Sequence, residues 1–222
     1  MKKLKTMLFV LLACVATSPL MAADLAGPYA ALQASINGVE LDGQEETKDN
    51  GVTTGTIGKI AVIGGGEIGY VFPMSDGLLL DFGISKNFGD AKISSASTAD
   101  GRTHANSTAV SFEVSDYMTA YIAPTITLNE NSSLYFKIGL ARADTKVVGD
   151  VSEPDNLLGE VYAIGTRSVM PGGVFIRTEA GFADFDKIEV RGKGSTNGIE
   201  VDNTVTATPR LAFGSVSLGY KF

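Results

Sequence analysis

The sequence predicts an all-β fold, an eight-stranded antiparallel up-and-down transmembrane β-barrel. Three observations predict it. Apolar residues recur with a period of two, long polar connectors alternate with tight turns, and the polar faces of the predicted strands carry charges that no soluble core would hold.

The chain has 222 residues, enough for one domain. It opens with Met1-Lys2-Lys3-Leu4-Lys5, an apolar run from Met7 to Ala16, and Thr17-Ser18-Pro19-Leu20-Met21-Ala22-Ala23. A basic start, a short apolar stretch and a small-residue cleavage site make a secretory leader. The apolar run is too short to span a bilayer as a helix, which takes about 20 residues. Residues 1–22 are therefore expected to be a signal peptide and residues 23–222 the barrel, with cleavage after Ala22 or Ala23. Leu11-Leu12-Ala13-Cys14 has the outline of a lipoprotein processing site. The apolar run before Cys14 is very short, however, and Cys14 reads as part of the leader. It is the only cysteine, so leader removal leaves no thiol chemistry. The remaining chain holds 15 basic against 25 acidic residues, a net charge of −10 that repels nucleic acid.

Eight segments follow the two-residue period: Gly27–Asn37, Ile57–Phe72, Leu78–Phe88, Thr108–Thr125, Ser133–Lys146, Glu160–Met170, Val174–Ile188 and Thr206–Phe222. Each reaches the roughly 9–11 residues that a membrane strand needs. In three of them the alternation is plain. Leu78, Leu80, Phe82 and Ile84 share one face, as do Leu134, Phe136, Ile138 and Leu140, and Val216, Leu218, Tyr220 and Phe222. Long polar loops are expected at Gly38–Thr56, Gly89–Ser107, Val147–Gly159 and Glu189–Val205. Short turns are expected at Pro73–Gly77, Leu128–Ser132 and Pro171–Gly173. Long loops at one end and tight turns at the other is the asymmetry of a bacterial outer-membrane barrel.

Polarity orients the faces. Lys59, Glu67, Asp81, Glu113, Lys137, Arg177 and Glu179 lie on the face opposite the apolar rows. Eight strands enclose a space only wide enough for side chains. Apolar rows facing lipid and paired charges filling the interior satisfy both constraints, which predicts a plugged lumen. Tyr70, Phe72, Tyr220 and Phe222 are placed for an interfacial girdle. The fourth segment breaks the pattern. Val110, Phe112 and Val114 lead on to Asp116, which would then face lipid unless a β-bulge near Ser115 turns Tyr117, Thr119 and Tyr121 outward, and the residues leave both registers open.

The stretch Ala123-Pro124-Thr125-Ile126-Thr127-Leu128-Asn129-Glu130-Asn131-Ser132-Ser133-Leu134-Tyr135-Phe136-Lys137-Ile138-Gly139-Leu140-Ala141 resembles the strand–turn–strand segment of the OmpA/OmpX-type small outer-membrane barrels. In that superfamily an Ala-Pro or Gly-Pro, an Asn-acid turn and a Leu-Tyr-x-x-x-Gly strand recur. Gly27-Pro28-Tyr29 resembles its first strand. The ending Val216-x-Leu218-x-Tyr220-x-Phe222 is similar to the signal that the barrel-assembly machinery recognises there. The resemblance implies a barrel in a Gram-negative outer membrane, and a barrel alone is expected, without a peptidoglycan-binding domain after Phe222.

Three motifs bear on chemistry. Gly64-Gly65-Gly66-Glu67-Ile68-Gly69 matches the dinucleotide fingerprint G-x-G-x-x-G. That site needs a helix to follow, and Pro73 with Ser75-Asp76-Gly77 allows none, so the glycines read as strand packing. His104, the only histidine, stands in Arg102-Thr103-His104-Ala105-Asn106-Ser107. Lipid A palmitoyltransferase and deacylase barrels use a histidine with a serine and an acid near the outer rim. Here the surroundings are those of a solvated loop. The acidic run Glu40–Asn50 could approach a cation or a basic partner, and reads as a solvated face. No catalytic, cofactor-binding or metal-ligating residue is nominated, and no cofactor is implied.

The expected function is non-enzymatic: outer-membrane integrity, or adhesion and contact with host surfaces or lipopolysaccharide through the long loops. The alternatives are a narrow channel for small or apolar solutes and a lipid A-modifying enzyme. Expected partners are outer-membrane lipid and lipopolysaccharide, the assembly machinery through Phe222, and a surface or host partner. Sequencing the N-terminus of the outer-membrane form is expected to read Ala23 or Asp24 first; retention of Cys14 would contradict leader cleavage.

Overall fold

The computed structural model describes residues 25–47, 51–94, 111–148, 156–196 and 199–222. Ten strands make up these residues: β1 (Gly27–Thr47), β2 (Gly51–Ser75), β3 (Leu78–Phe88), β4 (Ala91–Ser94), β5 (Ser111–Asn129), β6 (Ser132–Val148), β7 (Leu157–Val169), β8 (Val174–Phe185), β9 (Ile188–Thr196) and β10 (Ile199–Lys221). Among the described residues there is no helix. The leader and His104 lie outside them.

Eight of the strands form a closed antiparallel ring, β1-β2-β3-β5-β6-β7-β8-β10, in which β10 returns to pair with β1. Closure leaves no sheet edge inside the bilayer, which has no water to satisfy unpaired backbone groups. The two short strands continue the ring upward, β4 beside β5 and β9 beside β10. The turn end is tight. Gly77 takes a left-handed φ of 75° between β2 and β3, and Gly172 and Gly173 take 91° and 87° between β7 and β8. Between β5 and β6 the Asn131 N–H donates to Asn129 Oδ1 at 3.0 Å, the local closure that makes asparagine a turn residue.

At the other end the strands run further than expected. The segment 38–56 was read as a loop, but β1 and β2 pair without interruption from Gly27–Val71 to Thr47–Gly51. Likewise β9 and β10 pair from Ala207–Ile188 to Ile199–Thr196 within the expected loop 189–205. Charged residues had suggested loop, yet the interspersed valine, isoleucine and threonine favour extended chain. The result is a sheet, ordered β9-β10-β1-β2, that continues above the ring.

The outward face is apolar over the band that meets lipid. Leu32, Ile36, Ile68, Phe82, Ile84, Ile122, Leu140, Ile164, Val216 and Leu218 are all exposed. Polar side chains within the band satisfy one another across strands: Thr166 and Thr178 share a hydrogen bond of 2.8 Å, and Ser132 and Ser168 one of 3.2 Å. Tyr70, Phe72, Tyr220 and Phe222 stand exposed beside the turn end, as a girdle requires. Toward the other end seven of the eight outward rows change from apolar to charged, at Glu40, Lys86, Asp116, Arg142, Glu160, Asp184 and Arg210. Neighbouring strands pair these charges. Lys86 meets Asp116 at 2.8 Å, and Arg210 meets Asp184 at 3.5 Å and Asp42 at 3.7 Å.

The bulge in β5 is present, with the register shifting between Ser115 and Met118 and Asp116 at a φ of 52°. It settles the open register with the tyrosines on the opposite side from the one that alternative gave them. Thr119 and Tyr121 point inward and Met118 and Ile122 outward, while Val114 and Tyr117 pack against an inner apolar cluster. Lipid offers a tyrosine hydroxyl no partner at depth, and the lumen does. Asp116 consequently sits at the charged rim, not in the apolar band.

Inward glycines make room for inward rings. A Cβ on Gly69 would collide with the ring of Tyr29, one on Gly83 with Tyr121, one on Gly165 with Tyr135 and one on Gly219 with Phe175. The last glycine of the dinucleotide-like motif is thus the seat of a tyrosine. Replacing Gly165 by valine is expected to cost about 1–3 kcal/mol of unfolding free energy, the usual penalty for overpacking. Thermal melts followed by circular dichroism in detergent check this, and Tyr135→Leu in the same chain should recover part of the loss.

Candidate functional site

The distinctive chemistry of this barrel lies inside it. Among the described residues six charged side chains are buried: Glu67, Asp81, Lys137, Arg167, Arg177 and Glu179. Three acids face three bases, so the set is neutral. Neutrality matters because an uncompensated charge in this interior costs several kcal/mol.

Arg177 on β8 is the hub. One guanidinium nitrogen binds the Glu67 carboxylate on β2 and the other binds Asp81 on β3. In the ring, β8 stands opposite β3, so a single side chain ties facing walls together. The planar, always-charged guanidinium suits this double contact in a way an ammonium does not. Lys137 on β6 completes the layer, at 2.6 Å from Glu179 and 3.6 Å from Glu67.

Three tyrosines from separate strands add hydrogen bonds to this layer, leaving Arg177 Nε buried without a partner. Tyr29 donates to Asp81 Oδ1 at 2.8 Å, and its hydroxyl also lies 2.7 Å from that of Tyr121. Arg177 donates to the Tyr121 hydroxyl at 3.0 Å, and Tyr135 donates to Glu179 at 2.8 Å. The ring faces contribute as well. Lys137 Nζ sits 4.0 Å from the Tyr121 centroid, and the Arg177 guanidinium 5.0 Å from that of Tyr135.

Apolar layers close the interior above and below. On the turn side Leu25, Tyr29, Val71, Leu79, Val169 and Phe175 pack together. On the loop side Ala141, Leu157, Val161, Ala183, Phe185 and Leu211 do so. Between the ionic layer and the loop-side layer a cavity of about 20 Å³ remains, lined in part by Ser35, Asn37, Thr119, Lys137 and Glu179. That is room for about one water molecule.

Five of the seven charges expected in the lumen are there. The other two are not. Glu113 lies before the bulge, in register with Lys146 and Lys92, on the outward row. Lys59 is exposed, beyond Gly64–Phe88 where β3 stops pairing with β2. Alternation alone puts Tyr135 on the inner face with Lys137, whereas Arg167, Tyr29 and Tyr121 were not recognised as lumen residues. Arg167 alternates in phase with Ala163, Gly165 and Val169, so its strand's own period placed it inside. Tyr29 and Tyr121 gave a weaker signal, because an aromatic residue suits lipid as readily as a lumen.

A family model for the outer membrane protein beta-barrel domain matches residues 7–222. The chain belongs to this family. As an outer-membrane barrel it is similar to solved structures, though no curated protein sequence matches it. The outer membrane protein OprG from Pseudomonas aeruginosa is 11% identical, with 89% of this chain and 97% of that one covered and a TM-score of 0.55. Ail, the attachment invasion locus protein of Yersinia pestis, is 12% identical over 82% and 98%, with a TM-score of 0.41. The outer membrane protease OmpT from Escherichia coli is 9% identical over 94% and 100%, with a TM-score of 0.39. At such identities the likeness is one of fold and assigns no activity.

Replacing Lys137 by methionine strands Glu179 in the lumen and is expected to cost about 3–5 kcal/mol. Arg210→Ala, which removes an exposed pair at the rim, should cost about 0–1 kcal/mol. Urea unfolding in detergent, followed by the mobility of folded and unfolded barrels on gels, measures both.

Proposed function

We propose that this barrel works closed and without catalysis, as a membrane anchor whose role is structural or lies in contacts made by its outer surface. The observation that carries this reading is the filled interior, in which a neutral, hydrogen-bonded ionic layer sits between two apolar ones. Conduction would require at least the Arg177 contacts to open, and each buried pair that loses a partner is strongly disfavoured.

The extended sheet supports the second half of the proposal. β2 alone has 25 residues, whereas about 9–11 suffice to cross the membrane. The excess in β1, β2, β9 and β10 builds a rigid platform on the loop side, suited to lipopolysaccharide or a host surface. Within this reading the leader is cleaved, the barrel resides in a Gram-negative outer membrane, and the C-terminal Phe222 row serves the assembly machinery.

Planar-bilayer recordings of the purified protein are expected to show no discrete conductance steps, while the same preparation of an Arg177→Ala, Lys137→Ala variant is expected to leak. Regular single-channel steps from the unaltered protein would contradict the closed-barrel reading and favour a narrow channel.

A further inference from the structure

Among the described residues five buried side-chain atoms lack a hydrogen-bond partner, and all five lie on one inward row of the barrel wall. The row crosses four neighbouring strands, from Arg177 on β8 through Arg167 on β7 and Ser133 on β6 to Thr127 on β5. The orphans are Arg177 Nε, all three guanidinium nitrogens of Arg167, and Thr127 Oγ1. Ser133, the remaining member, is buried too, and its hydroxyl donates to the Arg167 carbonyl at 3.5 Å. Every side chain on the row is thus a donor, and none is a carboxylate.

The two arginines are held close and out of water. Arg167 is 3% exposed and Arg177 2%. The Arg167 guanidinium carbon lies 4.1 Å from the centroid of Phe175 and 4.6 Å from that of Tyr29, and the Arg177 guanidinium carbon lies 5.1 Å from the same Tyr29 ring. Rings satisfy the face of a guanidinium, but its N–H groups lie in the plane and need acceptors. The buried carboxylates are already engaged. Arg177 binds Glu67 and Asp81, Tyr29 adds a bond to Asp81, and Lys137 and Tyr135 hold Glu179. Native interiors rarely leave such donors unmet, and a buried charge without a direct partner is strongly disfavoured.

We propose that this row is a binding site for one small inorganic anion, of the size of chloride or phosphate, held by Arg167 with Arg177 Nε and Thr127. A water molecule accepts too few bonds for so many donors and leaves the Arg167 charge unanswered. An anion accepts from several directions at once and meets that charge directly. The way in is from the turn end, where Thr127 is only half-buried and the next turn residues, Leu128 and Asn129, are exposed. Because three acids and three bases already balance in the lumen, the ion adds one negative charge. Its binding is therefore weak, with half-saturation at about millimolar concentration. Once bound, it braces β5, β7 and β8 against one another just inside the turn-side floor.

The test uses the full barrel in detergent with ¹⁵N-labelled arginine. Sodium gluconate, too bulky for the site, is replaced stepwise by sodium chloride or sodium phosphate at fixed ionic strength. At least one of the two ions is expected to shift the Arg167 and Arg177 Nε–H resonances saturably and to raise the heating midpoint by a few degrees over the same range. Thr127→Val should weaken that response several-fold, and Arg167→Met should abolish the shift at Arg177; if Arg167→Met does not fold, Thr127→Val decides. Arg142→Ala, a change at an exposed rim arginine, should leave the response intact. No saturable shift with either ion would overturn the site. So would a shift that Thr127→Val leaves unchanged or Arg142→Ala removes, which would mean an adventitious ion only.

Discussion

The contact between Arg177 and the carboxylates of Glu67 and Asp81 is the constraint on which the rest of the barrel depends. Lipid requires the outward rows to be apolar, and the pleat then hands every second residue to a lumen that eight strands make too narrow for bulk water. Polar groups placed there must satisfy one another or leave the structure unstable. A guanidinium reaching from β8 to two other walls does this with one side chain, and it pins the ring's cross-section as it does so. The tyrosines and their glycine seats follow from the same demand. Hydroxyls are needed to finish the carboxylates' hydrogen bonding, rings fill volume around them, and opposite each ring a strand must give up its Cβ.

The two sides of the wall are therefore one design problem solved twice. Outside, the few hydroxyls in the lipid band bond across strands, and charges wait until the rows emerge at the rim. Inside, charges are concentrated at mid-height and capped by apolar layers. The β5 bulge at Asp116 reconciles the two. By shifting the phase of one strand it keeps Val114 and the tyrosine rows on the inner side and leaves Asp116 at the rim beside Lys86. Above the rim the strands continue because their sequence favours extension and their neighbours are already in register, so the exposed part is a sheet as ordered in its pairing as the ring below.

Much of this was legible in the residues. The period of two, the apolar rows through Leu80, Ile138 and Leu218, the tight turns at Asp76-Gly77 and Gly172-Gly173, and the interior placement of Glu67, Asp81, Lys137, Arg177 and Glu179 all needed only alternation and polarity. What was not legible depended on information that alternation does not carry. A break in phase does not say which side wins, so the sequence left open whether Tyr117, Thr119 and Tyr121 face lipid or lumen. Charged hairpin arms look like loops in composition, which hid the upper reaches of β1, β2, β9 and β10. Tyrosine is ambiguous between interface and lumen until a partner for its hydroxyl is known, and those partners lie 44 to 92 residues away in sequence.

The most direct test of the account is a double-mutant cycle on Glu67 and Arg177, with Glu67→Gln, Arg177→Met and both together, read as unfolding free energy in detergent. If the ionic layer is what holds the lumen, Arg177→Met should cost roughly 3–5 kcal/mol, and adding Glu67→Gln to it should return a large part of that loss, because the stranded carboxylate is gone. Losses that simply add would mean that the two side chains are not coupled, and would contradict the account.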